Sequence, residues 1–336
     1  MHYVGLDVHW RQSTYCVLDE NGKHLTSRTI HGPWEKVLAA LSSVKKPFAI
    51  CFEASTGYGW LYDRLKGLAA RVAVAHPGEL RMIFRSKQKN DRVDAEKLAK
   101  VLFLDEVPPV YVPEVEVRSW RGMIEHRSGL LADRTGAKNE LRALLRSHGV
   151  VAPKGLWTLR GLAWIRGLEF EQGFDSVRRD ILLEKVEAAN KMIKRVEVEL
   201  AKVAAKHPGV QLLMTIPGVG IRTAEAVMAY IDRPERFHSN RSIGEYFGIV
   251  PSQDSSGGRE RLGHITKQGP ATVRRLVVEA AWQSIRHSPA VRARFERIMG
   301  GNAGRKKIAL VAVAHYLLRV MLAMLKSGEG WRKEAA

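Results

Sequence analysis

Residues 2–76 switch repeatedly between two hydrophobic periods, and this restricts the possible fold more than any other feature of the chain. "HYVGLDVHW", "STYCVLDE" and "HLTSRTIHG" read as three successive strands, with "ENGK" as the turn between the second and third. A helical run, "PWEKVLAALSSV", follows with Pro33 at its start. Then come an apolar strand "PFAICFEA", a helix "GWLYDRLKGLAA" and a strand "RVAVAHP". Three strands followed by alternating helices and strands specify an α/β sheet covered by helices.

Beyond "EVPPVYVPEVEV", a connector with three prolines, the pattern becomes helical. Residues 117–149 and 176–206 form two long helical patterns. In the second, Ile181, Val186, Ile193, Val196, Leu200 and Val203 recur at roughly helical spacing. Joined by "APKGLWTLRGLAWIRGL", the pair predicts an antiparallel helical or coiled-coil arm suited to self-association. From about residue 208 a Gly-rich turn, a long polar loop and a mostly helical tail follow. The expected organisation is an α/β domain over 1–110, an arm over 117–206 and a mostly α-helical domain over 207–336.

Charge narrows the partner. The 336 residues hold 54 Lys and Arg against 35 Asp and Glu, a net charge of +19. Such a surplus points to a polyanion, nucleic acid first. It is densest at the end, where residues 251–336 carry 16 Lys and Arg and 6 Asp and Glu. Cys16 and Cys51, each in an apolar run, read as buried thiols rather than a disulfide or zinc site. The N-terminus lacks the pattern of a signal peptide, and the most apolar run, "IALVAVAHYLLRVMLAML", is broken by His315 and Arg319. These features predict a cytoplasmic protein with no membrane partner.

Four acids in the first domain form a candidate site. Asp7 lies inside an apolar strand, where an unpaired acid is costly to bury. Glu53 ends the fourth strand, and Asp91 and Asp94 open a later helix behind the basic segment "RMIFRSKQK". If strands one and four are neighbours, Asp7 and Glu53 share a sheet edge, and a helix packed there adds Asp91 and Asp94, which share a helix face. Convergent carboxylates repel unless divalent cations lie between them, and hard oxygen ligands suit Mg²⁺ at a phosphodiester. Taken alone, Asp91 and Asp94 also fit an N-cap and a first-turn acid.

The C-terminal domain offers two nucleic-acid-binding features. "TIPGVGIRTAEAVMAYI" fits a helix-hairpin-helix-like turn with Pro217, Gly218 and Gly220, whose backbone amides could hold a phosphate or simply join two helices. In "QDSSGGRERLGHITKQG", Ser255 and Ser256 precede glycines and the cations Arg259, Arg261 and Lys267, with Arg274 and Arg275 beyond. A serine there could attack phosphorus if its developing charge is met by cations, or could merely bond phosphates in a basic loop.

On these residues the first domain resembles the RuvC-type, ribonuclease-H-like nuclease domain of the DEDD transposases. "YVGLDVH", "CFEASTGY" and "KNDRVDAEKLA" match its three motifs, and Asp7, Glu53, Asp91 and Asp94 fall on its four acids. Residues from about 208 to 290 are similar to the second domain of the same transposases, those of the insertion-sequence one-ten family, also called bridge-RNA-guided recombinases. "IPGVGIRTAEAVMAYI", "FGIVPSQDSSGG" and "TKQGPATVRRLVVEAA" carry that likeness. In that family a serine just before a glycine is the nucleophile. The match falls on Ser256, with Gly257 after it and Ser255 as its neighbour. The resemblance implies an RNA-guided site-specific recombinase of an insertion sequence, with Mg²⁺ at the acids and a phosphoserine-linked intermediate. Its implied partners are target and donor DNA, a non-coding bridge RNA and further copies of the chain, up to a tetramer. The alternative is a metal-dependent nuclease of Holliday-junction resolvase type with no covalent intermediate.

Overall fold

The computed structural model describes residues 1–83, 90–254 and 261–332. The chain divides into two compact units, residues 1–118 and 119–336. In the first, β1 (His2–Val8), β2 (Gln12–Leu18), β3 (His24–His31), β4 (Phe48–Glu53) and β5 (Arg71–Ala75) form one sheet in the order β3-β2-β1-β4-β5. β2 runs antiparallel to β1 and β3, whereas β4 is parallel to β1 and β5. The hairpins and the helical crossovers follow from the two textures of the sequence, since antiparallel neighbours need only turns and parallel ones need a connecting helix. α1 (Trp34–Leu41) and α2 (Tyr58–Leu65) supply these crossovers, and α3 (Pro77–Ile83) and α4 (Asp91–Phe103) follow β5. This unit is the α/β sheet with covering helices that the sequence predicts.

Because side chains alternate along a strand, each face of the sheet has its own core. Val4, Leu6, Tyr15, Val17, Phe48, Ile50 and Phe52 pack with Trp34, Val37, Leu41, Leu61 and Leu65 beneath α1 and α2. Cys16, Leu18, Ala49 and Cys51 meet Ala95, Leu98, Ala99, Val101 and Leu102 of α4 on the other face. Each fully buried Leu, Ile or Phe stabilises the fold by ~1.5–3 kcal/mol over an exposed one. Both thiols are buried and free, and burial pushes that of Cys51 up to about 12. α4 approaches so closely that a Cβ on Gly5 would lie 2.0 Å from the Ala95 carbonyl oxygen and 2.3 Å from the Ala99 nitrogen. Gly5 therefore sets the height of α4 over β1.

In the second unit the two long helices are α5 (Val115–Ser147) and α7 (Gly173–Ala205), with the short α6 (Leu159–Arg166) between them. They lie antiparallel. The Arg127 Nε–H donates to Glu197 at 2.8 Å, and the Arg134 guanidinium donates to Asn190 at 3.0 Å. Seven residues forward on one helix match seven back on the other. Ala137, Leu141, Leu144 and Leu145 meet Leu182, Leu183 and Val186 around Leu156 and Ile165 at the distal end. Ile181, expected on the apolar stripe, is instead 49% exposed; the buried line runs through Leu182, Leu183 and Val186. Ile181 lies five residues before Val186, about 140° around the helix from it, whereas Leu182 lies four before and shares its face.

The proximal ends of α5 and α7 share a core with the rest of the unit: α8 (Pro208–Leu213), α9 (Ile221–Ile231), α10 (Ser242–Tyr246), α11 (Ala271–His287), α12 (Pro289–Met299) and α13 (Lys306–Ser327). A short hairpin, β6 (Pro251–Gln253) and β7 (Leu262–Ile265), projects from it. α13 is long and apolar enough to cross a membrane, yet half of its apolar window is buried, with Val313, Ala314, Leu317 and Leu318 fully so. Its apolarity is largely that of a core helix.

Candidate active site

The acids gather where strand register brings them. β1 and β4 pair in parallel up to Leu6 beside Phe52, so Asp7 and Glu53 come next on adjacent strands. Both belong to the set of alternate residues that includes Gly5 and Cys51 and faces α4. The first turn of α4 carries Asp91 and Asp94 to this same edge.

Within that edge, a carboxylate oxygen of Asp7, one of Asp91 and a ring nitrogen of His9 lie within 4.8 Å of one another. The His9 Nε2 is 3.4 Å from Asp7. Gln12 donates its side-chain N–H to Asp91 at 2.8 Å and so orients that carboxylate. Asp94 sits close enough to raise the Asp7 pKa, while its own carboxylate accepts from Lys97 at 3.1 Å. Burial is the main reason the Asp7 carboxyl is raised above its ordinary value; His9 opposes the shift, and the charges of Asp91 and Asp94 add to it. Glu53 is exposed at the strand end and lies outside the three-residue cluster.

The capping reading of Asp91 needs correction. Asn90 is the N-cap, its side chain accepting from the Arg92 amide at 3.0 Å. Asp91 is the first residue of the helix proper, which frees its carboxylate to face Asp7. The donor set of carboxylate oxygens and one imidazole suits a divalent cation, and mutual repulsion among Asp7, Asp91 and Asp94 is the force a cation would relieve. The basic segment preceding α4 lies partly outside the described residues, at 84–89. His9 and Gln12 were not among the candidates read from the sequence. His9 comes two residues after Asp7, just past the end of β1, and that proximity in sequence was the available signal.

In the second unit the Gly-rich turn joins α8 to α9. Gly218 has φ +89°, and a Cβ there would come within 2.4 Å of the Ser284 nitrogen on α11. Its glycine is thus accounted for by packing. Gly220 is the exposed N-cap of α9, with open space around it. Ser255, Ser256, Gly257 and Arg259 lie outside the described residues. The base of their loop is fixed by the Asp254 amide donating to the Arg261 carbonyl at 3.0 Å. Arg261 and Lys267 are exposed, Lys267 in the left-handed region at φ +58°. Arg274 donates to the carbonyls of Phe247 at 3.1 Å, Gly269 at 3.0 Å and Gln268. It holds the segment on which the hairpin returns. Arg275 is exposed, donating to Ser128 at 3.2 Å beside Glu279.

Comparison with known proteins matches both units. The profile of a DEDD transposase domain, described as "Transposase", matches residues 4–149, and that described as "Transposase IS116/IS110/IS902 family" matches residues 210–296. The transposase for insertion sequence element IS1111A of Coxiella burnetii is 28% identical over 288 residues, covering 84% of this chain and 78% of that protein. The transposase for insertion sequence element IS1328 of Yersinia enterocolitica is 26% identical over 293 residues, covering 85% of this chain and 86% of that protein.

Proposed function

The chain belongs to the IS110/IS116 family of insertion-sequence transposases, and from that premise we propose how its residues divide the work of cutting and rejoining DNA. The observation that carries the proposal is the convergence of Asp7 and Asp91, with Asp94 beside them, at the edge where β1 meets the first turn of α4. DEDD nuclease-like domains work with divalent metal ions, and we assign Mg²⁺ here, held by Asp7, Asp91 and Asp94 with Glu53 from the adjacent strand end. When bound, that ion supplies charge stabilisation to the phosphodiester under attack.

The chain's own residues do the rest. Gln12 and His9 hold the Asp91 and Asp7 carboxylates in place. Ser256 supplies the nucleophile: its Oγ bonds to phosphorus, the phosphorus–oxygen bond to one sugar breaks, and the serine's proton leaves with that sugar hydroxyl. The resulting phosphoserine ester retains the bond energy, so attack by another strand's hydroxyl restores a phosphodiester and frees the serine without an external energy source. Glycines beside the serine allow close approach of the DNA backbone. Arg259, Arg261, Lys267 and Arg275 neutralise phosphates, whereas the Arg274 bonds described above argue for a supporting part. Target and donor choice falls to pairing with a non-coding RNA, the protein reading backbone and shape. The arm of α5 and α7 serves assembly into a dimer or tetramer.

Incubation of the protein with its element's DNA and RNA, followed by denaturation, tests this reading. A covalent protein–DNA adduct that disappears in Ser256→Ala is expected. Strand cutting that survives this substitution would place the chemistry at the acids alone, as in a resolvase-type nuclease.

A further inference from the structure

The acids occupy one side of the ends of β1 and β4, and the other side is hollow. His9, Trp10, Trp34, Glu35, Thr56 and Trp60 help line an open cavity of about 690 Å³, within the usual size of a ligand site. Trp34 is its floor. That ring is 9% exposed, its indole N–H donates to the His9 carbonyl at 3.1 Å, and Gly57 makes room for it: a Cβ on Gly57 would lie 2.7 Å from the ring. Trp10 meets Trp34 edge to face at 5.5 Å, and Trp60 lies 5.8 Å from it at a 37° tilt.

Burial separates the three indoles. Trp10 is 75% exposed and Trp60 37%, so two large faces stand in water around an ordered third. Leaving that much aromatic surface uncovered does not help folding and marks a surface for binding. The Arg64 guanidinium lies 5.3 Å from the Trp60 ring centre, adding positive charge at the rim. Position then limits the occupant. His9 lines the cavity while its imidazole reaches Asp7 at 3.4 Å, and Thr56 stands three residues after Glu53. His9 thus belongs both to the cavity lining and to the acidic cluster, so the two adjoin through this residue.

We propose that the Trp10–Trp34–Trp60 cavity receives an unpaired base of the DNA strand being cut, next to the scissile phosphate, and holds it by stacking on the exposed indoles. The proposal rests on the acids being the cutting site. Stacking on aromatic faces tolerates any base, so the cavity favours an unstacked nucleotide without choosing its sequence, and it rewards local opening of the duplex at the cut.

The test uses the full-length protein without added metal and a short single-stranded DNA containing one 2-aminopurine. Wild-type protein is expected to quench the probe's fluorescence. Trp10→Ala should bind it roughly 5- to 150-fold more weakly, the range for losing one base–aromatic stack. Trp10→Phe should keep most of the affinity. An abasic position in place of 2-aminopurine should cost the wild type at least a similar factor and cost Trp10→Ala less, since only Trp60 remains exposed to stack on. Trp10 is mostly exposed, so its removal leaves the fold intact, checked by circular dichroism, and Trp60→Ala is the second variant. Equal affinity and quenching in wild type and both alanine variants would overturn the proposal. So would quenching by an RNA strand of the same sequence but not by DNA, which would assign the cavity to the guide. Cutting that persists in Asp7→Asn would instead overturn the assignment of the acids, so the two failures are distinguishable.

Discussion

Replacing Gly5 by alanine adds one methyl group at the point where β1 and α4 touch. That Cβ would lie 2.0 Å from the Ala95 carbonyl oxygen and 2.3 Å from the Ala99 nitrogen, both backbone atoms that no side-chain rotation can move. Reaching even a 3.0 Å separation requires α4 to retreat by about 1 Å. Overpacking of this kind costs ~1–3 kcal/mol, and the backbone clash places Gly5→Ala at the upper end. Asp91 and Asp94 ride on the first turn of the displaced helix, whereas Asp7 stays with the strand. A 1 Å misplacement of catalytic groups costs roughly 100-fold in rate. The assay pairs thermal unfolding with strand cutting of element DNA, using Gly129→Ala as the control. Gly129 lies within α5 with nothing within 4 Å of its added Cβ, so that change should stabilise by ~0.5–1 kcal/mol and leave cutting unchanged. A Gly5→Ala protein with wild-type stability and cutting rate would refute the claim that α4 positions the acids.

Four other outcomes follow from the same geometry. Burial raises the folded-state pKa of Asp7 above 3.8, so the folded state binds the extra proton, and metal-free stability falls as pH rises from about 3.8 through the raised value. Asp7→Asn should therefore raise the metal-free melting temperature at neutral pH while abolishing cutting; an unchanged or lower melting temperature would contradict this. Asn90→Ala removes the α4 cap and should destabilise by ~0.5–2 kcal/mol, with Asn90→Ser close to neutral, as read by denaturant titration. Arg274→Ala should lower the melting temperature and leave the salt dependence of DNA binding intact, because its guanidinium serves backbone carbonyls. Arg275→Ala should instead reduce the salt slope by about 1.

Much of the first unit was legible because its two cores are written in alternating residues. Val4 and Leu6 point one way, Gly5 and Asp7 the other, and the period of two needs no tertiary information to read. Glycines were harder. Gly5 reads as an ordinary strand residue until α4 is seen lying on it, and Gly218 reads as a phosphate cradle until its contact with α11 is seen. The same holds for Arg274, whose spacing marks it as a cation on a basic helix, although three carbonyls occupy it. The Asn90 cap was obscured by the two aspartates after it, which satisfy the same local rule. The cluster of three indoles was least accessible, since Trp10, Trp34 and Trp60 come from three separate elements and only the sheet order brings them together.

The most direct test of the account measures strand cutting of the element's DNA, with its RNA, as Mg²⁺ is titrated into wild-type and Asp7→Asn proteins of matched circular dichroism. The account predicts cutting that rises to saturation with Mg²⁺ in the wild type and is lost at every concentration in Asp7→Asn. Equal cutting by the two proteins, or wild-type cutting indifferent to divalent cations, would contradict it.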